Sequence, residues 1–197
     1  MNVDPPRNPF ATGNIRPGAI PYFFPAGTSA TELIAQLAQQ NWQGEIVGPH
    51  GSGKSTLLVA LLEPLQAAGK QLVQFALHNG ERRLPIGKYE WGRETLVIVD
   101  GAEQLSWFSR WRLRRRCRRT GAGLLWTSHQ PLGLPLIWQT KPDLGMAKRV
   151  VGHLLAESPL QLSPAEIDAA FYATHGDVRE TLFRLYDLFQ RRSREEL

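Results

Sequence analysis

The middle of the chain alternates between continuous apolar runs and segments in which apolar residues recur every three or four positions. The runs at residues 95–99 and 123–127 are almost free of polar positions, which is typical of parallel strands buried on both faces. The pattern predicts strands over 44–47, 70–77, 95–99, 123–127 and 135–139, and helices over 29–40, 54–68 and 103–119. Strands that alternate with helices in this way predict a three-layer α/β/α sandwich with a mainly parallel sheet.

Both ends of the chain differ from this α/β part, which extends over residues 29–142. Residues 1–28 are rich in proline and carry aromatic rings, so we expect an extended N-terminal arm that packs through those rings. After Pro142 only helical patterns remain. The sequence therefore predicts three parts: the arm, an α/β domain, and a small C-terminal helical lid over residues 143–197.

Composition limits the class of protein. A chain of 197 residues with 42% hydrophobic residues can bury the core of one α/β domain with a helical appendage. Its single cysteine, Cys117, excludes an internal disulfide and a zinc site made of cysteines. No apolar run approaches the ~18 residues of a membrane span, and the first residues lack the features of a secretion signal. We therefore expect a cytoplasmic protein with no membrane partner.

Residues 48–55 read GPHGSGKS and match the phosphate-loop pattern G-x-x-x-x-G-K-[ST] at every fixed position. The glycines let main-chain amides curl around a phosphate at the positive end of the helix that follows. Lys54 can reach the β and γ phosphates, and Ser55 offers a hydroxyl to Mg²⁺. The chain lacks the Asn-Lys-x-Asp signature of guanine binding, which favours ATP. The expected nucleotide-binding residues are Gly48, Pro49, His50, Gly51, Ser52, Gly53, Lys54, Ser55 and Thr56.

A carboxylate ends the third predicted strand, where residues 95–100 read TLVIVD. An apolar strand that ends in an acid is typical of a Walker B segment, which places the acid beside the metal. Asp100 is therefore expected to serve Mg²⁺ together with Ser55.

With the loop, Asp100 and an apolar strand that ends in Thr-Ser-His, the chain resembles the additional-strand P-loop ATPases, and within them the AAA+ group. The resemblance implies an extra strand between the two Walker strands, with Thr127 or Ser128 as the sensor 1 residue that reads the γ phosphate. It also implies that Arg179, in the sequence GDVRE, is the sensor 2 arginine of the helical lid. The catalytic residues expected from loop, strand and resemblance are Lys54, Asp100, Glu103, Thr127, Ser128 and Arg179.

Two features depart from the AAA+ pattern. Gly101 stands where the family usually has a glutamate that orients the attacking water, and the nearest acid is Glu103. Glu103 either faces the γ phosphate from the first turn of the next helix or only satisfies the dipole of that helix. The segment between Ser128 and the fifth strand is also too short for the helix that carries the family's arginine finger. Self-association is compatible with the sequence, but a conventional hexameric ring is not expected.

The predicted helix over 103–119 carries most of the positive charge. The formal net charge is +5, and seven of the arginines lie between positions 110 and 119 with no acid among them. At 100° per residue they fall all round the helix, so some of them must contact protein, nucleotide or a partner. A solvated face, a nucleic-acid partner and an acidic protein partner are the alternatives. The residues concerned are Arg110, Arg112, Arg114, Arg115, Arg116, Arg118 and Arg119.

These observations predict an Mg-ATP-binding, AAA+-like ATPase that couples its nucleotide state to a macromolecular partner. Gly101 favours one alternative, a non-hydrolysing switch or adaptor that binds nucleotide to hold a conformation. The second alternative is a small-molecule kinase, which also uses a phosphate loop. The C-terminal position of the helical tail and its GDVRE sequence argue against the kinase.

Overall fold

The computed structural model describes residues 8–77, 84–85, 90–158 and 161–195. Within these ranges the helices are α1 (Thr12–Ile15), α2 (Ala30–Gln39), α3 (Lys54–Ala67), α4 (Trp107–Thr120), α5 (Leu144–Leu155), α6 (Pro164–Ala173) and α7 (Val178–Glu195). The strands are β1 (Gln43–Val47), β2 (Gln71–Ala76), β3 (Thr95–Asp100), β4 (Gly123–Ser128) and β5 (Leu136–Gln139). None of the helices described is both long enough and apolar enough to span a bilayer.

The chain divides into two compact units. The phosphate-loop unit comprises the described residues within 1–23, 50–56 and 141–197, and the sheet unit comprises those within 24–49 and 57–140. The predicted arm contributes to both units and contains one helical turn, α1.

The five strands form one parallel sheet in the order β2-β3-β4-β1-β5. This order places β4 between β1, which precedes the phosphate loop, and β3, which ends in Asp100. The α/β fold and the extra strand between the Walker strands are therefore confirmed. The two central strands are buried along their whole length except at Asp100, as their apolar runs predicted.

A buried carboxylate ties the centre of the sheet to the turn that follows β4. Glu45 on β1 is 1% exposed and accepts hydrogen bonds from Trp126 Nε1 at 3.0 Å and from the backbone nitrogen of Leu132 at 2.9 Å. Hydrogen bonds to a charged group of this kind each stabilise a fold by about 1.5–3 kcal/mol. The turn beyond β4 is thus held at a fixed place on the sheet.

The segment after β3 differs from its prediction. Gly101 has a φ of 84°, and a 3₁₀ turn, Ala102–Gln104, follows it. Leu105 is extended, and Ser106 then caps α4 by accepting a hydrogen bond from the backbone nitrogen of Ser109 at 3.1 Å. The predicted helix start at residue 103 is therefore wrong, because the extended Leu105 and a new N-cap, Ser106, separate the 3₁₀ turn from α4.

The phosphate-loop unit has its own apolar core, built from α5, α6, α7 and the N-terminal segment. Phe10 is fully buried and meets Phe189 of α7 edge-on, with ring centroids 6.2 Å apart. The side chain of Asn8 donates a hydrogen bond to the carbonyl of Tyr186 at 3.0 Å. The N-terminal segment is therefore fixed to the last helix by both apolar and polar contacts.

Candidate nucleotide-binding site

The phosphate loop leads from β1 into α3. The backbone nitrogen of Gly48 donates a hydrogen bond to the carbonyl of Ser128 at 3.1 Å, which extends the pairing of β1 with β4 by one residue. Gly51 and Gly53 then adopt φ values of 63° and 85°, in the left-handed region that side chains other than glycine rarely occupy. Helix α3 begins at Lys54. The backbone amides of its first turn supply the positive end of the helix dipole, which favours a bound phosphate.

The start of α7 lies against the phosphate loop, within the same unit. A Cβ atom built on Gly51 would collide with the carboxylate of Asp177. That carboxylate also accepts a hydrogen bond from the backbone nitrogen of Glu180 at 3.0 Å, so Asp177 caps α7. A Cβ built on Gly53 would lie 3.6 Å from the ring of Tyr22. Glycine is thus required at position 51 by both the backbone torsion and a neighbouring side chain.

Sequence reasoning missed Asp177, although the signal was present. The residue belongs to the GDVRE sequence from which Arg179 was singled out. Arg179 lies in the first turn of α7 with an exposed side chain, and its guanidinium carbon is 5.9 Å from the centroid of the Phe183 ring. The same helix start therefore brings a carboxylate to the loop and carries an exposed guanidinium two residues later.

The sheet unit carries a second group of polar residues, at the carboxyl ends of β3 and β4. The hydroxyl of Thr127 donates a hydrogen bond to Asp100 Oδ1 at 2.5 Å and accepts one from the backbone nitrogen of Gly101 at 2.9 Å. Thr127 is fully buried. One hydroxyl thus fixes both the carboxylate that ends β3 and the backbone that follows it.

Glu103 lies near this pair, in the 3₁₀ turn. Its Oε1 is 3.4 Å from Nε2 of His129, and its Oε2 is buried without a hydrogen-bond partner in the described part of the chain. The alternative in which Glu103 serves the dipole of the arginine-rich helix is wrong, because that helix begins at Trp107 with Ser106 as its cap. A buried carboxylate oxygen without a partner is costly, which makes it a candidate for a ligand or water contact.

Ser128 makes a different set of contacts from its neighbour Thr127. Its hydroxyl donates a hydrogen bond to the carbonyl of Gln130 at 2.7 Å, within the turn that follows β4. Of the two sensor 1 candidates, only Thr127 has a hydrogen bond to Asp100 among the residues described.

The residues available suit Mg²⁺ better than a metal held by protein alone. Nowhere in the described ranges do three or more His, Cys, Asp or Glu side chains form a group that could hold a metal ion. Magnesium is usually bound through one or two protein oxygens, with water and phosphate oxygens completing its shell. The hydroxyl of Ser55, in the first turn of α3, and the carboxylate of Asp100 are oxygen donors of that kind.

Comparison with known proteins adds to this geometry. No protein-family model matches the sequence. Over 88 residues the chain is 32% identical to the cobalt import ATP-binding protein CbiO of Rhodobacter capsulatus. The aligned segment makes up 44% of this chain and 31% of that protein. The chain thus spans about a third of the length of this curated relative.

Solved structures resemble most of the chain. CDC6P from Pyrobaculum aerophilum superposes with a TM-score of 0.65 at 14% identity, over 92% of this chain and 65% of that one. AMPPCP-bound DnaA from Aquifex aeolicus superposes with a TM-score of 0.56 at 16% identity, over 83% of this chain and 61% of that one. At such identities the likeness is one of fold. Together with the strand order and the loop, it confirms that this chain has the α/β fold of a P-loop NTPase with an additional strand between the two Walker strands.

Proposed function

We propose that this chain binds Mg-ATP and hydrolyses it, and that the state of the nucleotide is passed to a macromolecular partner. The observation that carries the proposal is the phosphate loop, in which two left-handed glycines lead directly into the first turn of α3. A loop of this shape, with a lysine and a serine at its end, is suited to a triphosphate and its metal ion.

Each candidate residue has a distinct part in this proposal. Lys54 neutralises charge on the β and γ phosphates, and Ser55 and Asp100 hold Mg²⁺, which when bound would stabilise the charge that develops on the phosphates. Thr127 keeps the Asp100 carboxylate in place through their 2.5 Å hydrogen bond. Glu103, with one oxygen held by His129 and the other without a partner among the described residues, orients the attacking water.

The first turn of α7 supplies the coupling to the lid. Its cap, Asp177, touches the loop at Gly51, and Arg179 follows two residues later. A bound phosphate repels the carboxylate and attracts the guanidinium, so the orientation of this turn depends on whether the third phosphate is present. A bistable lid of this kind is how nucleotide hydrolysis is converted into movement.

A conventional hexameric ring does not belong to the proposal. Strand β4 ends at Ser128 and β5 begins at Leu136, and the turn between them contains no helix that could present an arginine to a neighbouring subunit. The fold thus favours action as a monomer or in another type of assembly.

A second function, a nucleotide-dependent switch that does not hydrolyse ATP, has one observation in its favour. Gly101 carries no side chain to orient water, and the carboxylate of Glu103 is paired with His129. If that pair holds Glu103 away from the γ phosphate when ATP is bound, no base is available to the attacking water.

Two measurements on the purified protein test the proposal. The first is the affinity for ATP with Mg²⁺, obtained by calorimetry, and the second is the rate of phosphate release. The Lys54→Ala variant should bind ATP about tenfold to a hundredfold more weakly, since it loses a charged contact to the phosphates. Lys141→Ala removes an exposed lysine outside the loop and should leave both values unchanged.

The outcomes separate the two functions. Failure of the wild-type protein to bind ATP would refute the proposal altogether. Tight binding without phosphate release, with or without nucleic acid, would instead support the non-hydrolysing switch.

A further inference from the structure

We propose that the outer face of α4 binds single-stranded nucleic acid, stacking bases on its aromatic rings and pairing phosphates with its arginines. This inference rests on the proposed function only in naming the partner to which the nucleotide state is coupled. We define the aromatic–arginine face as the exposed side chains of α4, namely Trp107, Phe108, Trp111, Arg112, Arg115, Arg118 and Arg119.

The inner side of α4 accounts for the other arginines. Arg110 donates a hydrogen bond to the carbonyl of Leu105 at 3.0 Å, and Arg114 donates one to the carbonyl of Gly133 at 2.9 Å. The guanidinium carbon of Arg116 lies 4.4 Å from the centroid of the Trp91 ring. These three arginines hold the helix to its own unit. The remaining four arginines project on the opposite side, together with the aromatic residues.

The aromatic rings of this face are unusually exposed. Trp107, Phe108 and Trp111 are 72%, 55% and 44% exposed, although side chains of this size are normally largely buried. At 100° per residue the seven residues of the face fall within an arc of about 140° along roughly 18 Å of helix. A contiguous exposed apolar patch of this kind marks an interaction surface.

The rings and the guanidinium groups share one side of α4 and do not separate into an apolar and a charged stripe. The rings of Phe108 and Trp111 stack, with centroids 5.8 Å apart and an angle of 20° between the planes. The guanidinium carbons of Arg112 and Arg115 lie 5.8 Å and 5.5 Å from the Phe108 and Trp111 centroids respectively. Each stacked ring therefore has a positive charge beside it.

This adjacency of rings and charges selects the partner. Membrane-surface helices separate an apolar face from a charged one, so rings with arginines beside them could enter lipid only with their charges. Duplex nucleic acid keeps its bases stacked on one another and offers phosphates and base edges, but no base face on which a ring could stack. Single-stranded nucleic acid offers both unstacked bases and phosphates, and proteins bind it by combining basic grooves with aromatic platforms. Residues 107–120 contain no acid that would repel it.

The test is fluorescence anisotropy of a labelled oligothymidylate with the full-length protein, in the absence of ATP. The Trp111→Ala variant should weaken binding by about tenfold or more, because one base–aromatic stack is worth ~1–3 kcal/mol. The matched control is Tyr172→Ala, which removes a ring that is 68% exposed on α6 and should leave the affinity unchanged.

The arginines are tested through the salt dependence of binding. For single strands, log K falls with log salt by about 0.7 per neutralised phosphate, so the double variant Arg112→Ala and Arg115→Ala should flatten the slope by about 1.4. Arg184→Ala, an exposed arginine of α7, is the control and should leave the slope unchanged.

The fold of each variant is checked with its single thiol. Burial raises the pKa of the Cys117 thiol to about 12, so a folded sheet unit should not react with a thiol reagent at neutral pH. A variant that keeps Cys117 protected and still loses binding has lost a contact and not its fold.

Several outcomes would overturn the inference. They are absence of oligothymidylate binding, binding that Trp111→Ala leaves unchanged, and tighter binding to duplex DNA, to polyglutamate or to anionic vesicles. Failure of the proposed ATPase function is distinguishable from these outcomes. The Lys54→Ala variant should bind ATP more weakly and bind oligothymidylate as the wild type does. A protein that binds the oligonucleotide but never ATP would support this inference alone.

Discussion

We define the acidic turn as Asp100 to Glu103 together with the partners Thr127 and His129. The conformations of the phosphate loop and of the acidic turn are determined in different ways. In the loop the decisive quantities are backbone torsions, since Gly51 and Gly53 are left-handed and α3 begins one residue later. In the acidic turn they are side-chain contacts: Thr127 to Asp100, and His129 to Glu103. One region is therefore local in sequence, whereas the other joins residues that are far apart.

This difference determines how each region tolerates change. A backbone-built loop is lost when a glycine torsion becomes unavailable, whatever its surroundings. A turn built from side chains can lose one contact and retain the others, so its variants should separate catalysis from binding. Substitutions in the two regions should thus have different signatures.

The largest effect is expected for Glu103→Gln. The variant keeps the shape of the side chain but removes the carboxylate that we propose as the water-orienting base. General-base catalysis contributes about a hundredfold to ten-thousandfold, so kcat should fall by at least about a hundredfold. Affinity for ATP should be unchanged, because Glu103 does not belong to the phosphate loop. Steady-state phosphate release and calorimetry measure the two quantities.

The control for this variant is Glu90→Gln, which changes an exposed acid of the same unit and should leave kcat unchanged. A Glu103→Gln protein with wild-type kcat would assign Glu103 a structural role. The contrast between a loop that binds and a turn that catalyses would then disappear.

The same contrast explains how much of the molecule could be predicted from its sequence. The loop, the strands and the start of α3 were predictable because glycine torsions and apolar runs are properties of neighbouring residues. The place of β4 between the two Walker strands was expected only from the resemblance to the AAA+ group. The start of α4 was not predictable, because the residue pattern over 103–119 is helical throughout and only the extended Leu105 and the Ser106 cap interrupt it.

Contacts between distant residues were also beyond sequence reasoning. The GDVRE sequence singles out the segment that contains Asp177, but it does not show that this carboxylate touches Gly51, and nothing near Glu103 indicates His129 as its partner. The arginine helix shows the same limit. Its sequence places arginines all round, whereas the backbone carbonyls of Leu105 and Gly133 decide which of them face inward.

A smaller effect is expected for Gly51→Ala, which tests the loop. A left-handed torsion costs a residue other than glycine about 1–2 kcal/mol, and the new Cβ also meets the Asp177 carboxylate. Affinity for ATP should therefore fall by about tenfold or more. The matched control is Gly152→Ala in α5, where a Cβ meets nothing within 4 Å and the torsion is ordinary. That variant should bind ATP normally.

A double variant divides the two causes. Combining Gly51→Ala with Asp177→Ala removes the collision but keeps the torsional cost, so part of the lost affinity should return. Full recovery would mean that the contact with α7, and not the backbone of the loop, governs binding. Wild-type affinity in Gly51→Ala alone would contradict the backbone argument as a whole.

The smallest effect is expected for Thr127→Val, measured against Ser128→Ala. Valine has nearly the shape of threonine but cannot donate to Asp100 or accept from the nitrogen of Gly101, so the free energy of unfolding should fall by about 1 kcal/mol. It should also lower kcat, because the Asp100 carboxylate loses the group that holds it. Ser128→Ala removes only the bond to Gln130 within the next turn, so its kcat should stay near wild type. Chemical denaturation measures the free energy of unfolding of each variant, and phosphate release measures its kcat. A larger loss of kcat in Ser128→Ala than in Thr127→Val would assign the sensor 1 role to Ser128. Catalysis would then depend on the contact between Ser128 and Gln130, which are neighbours in sequence, and not on the long-range contact between Thr127 and Asp100.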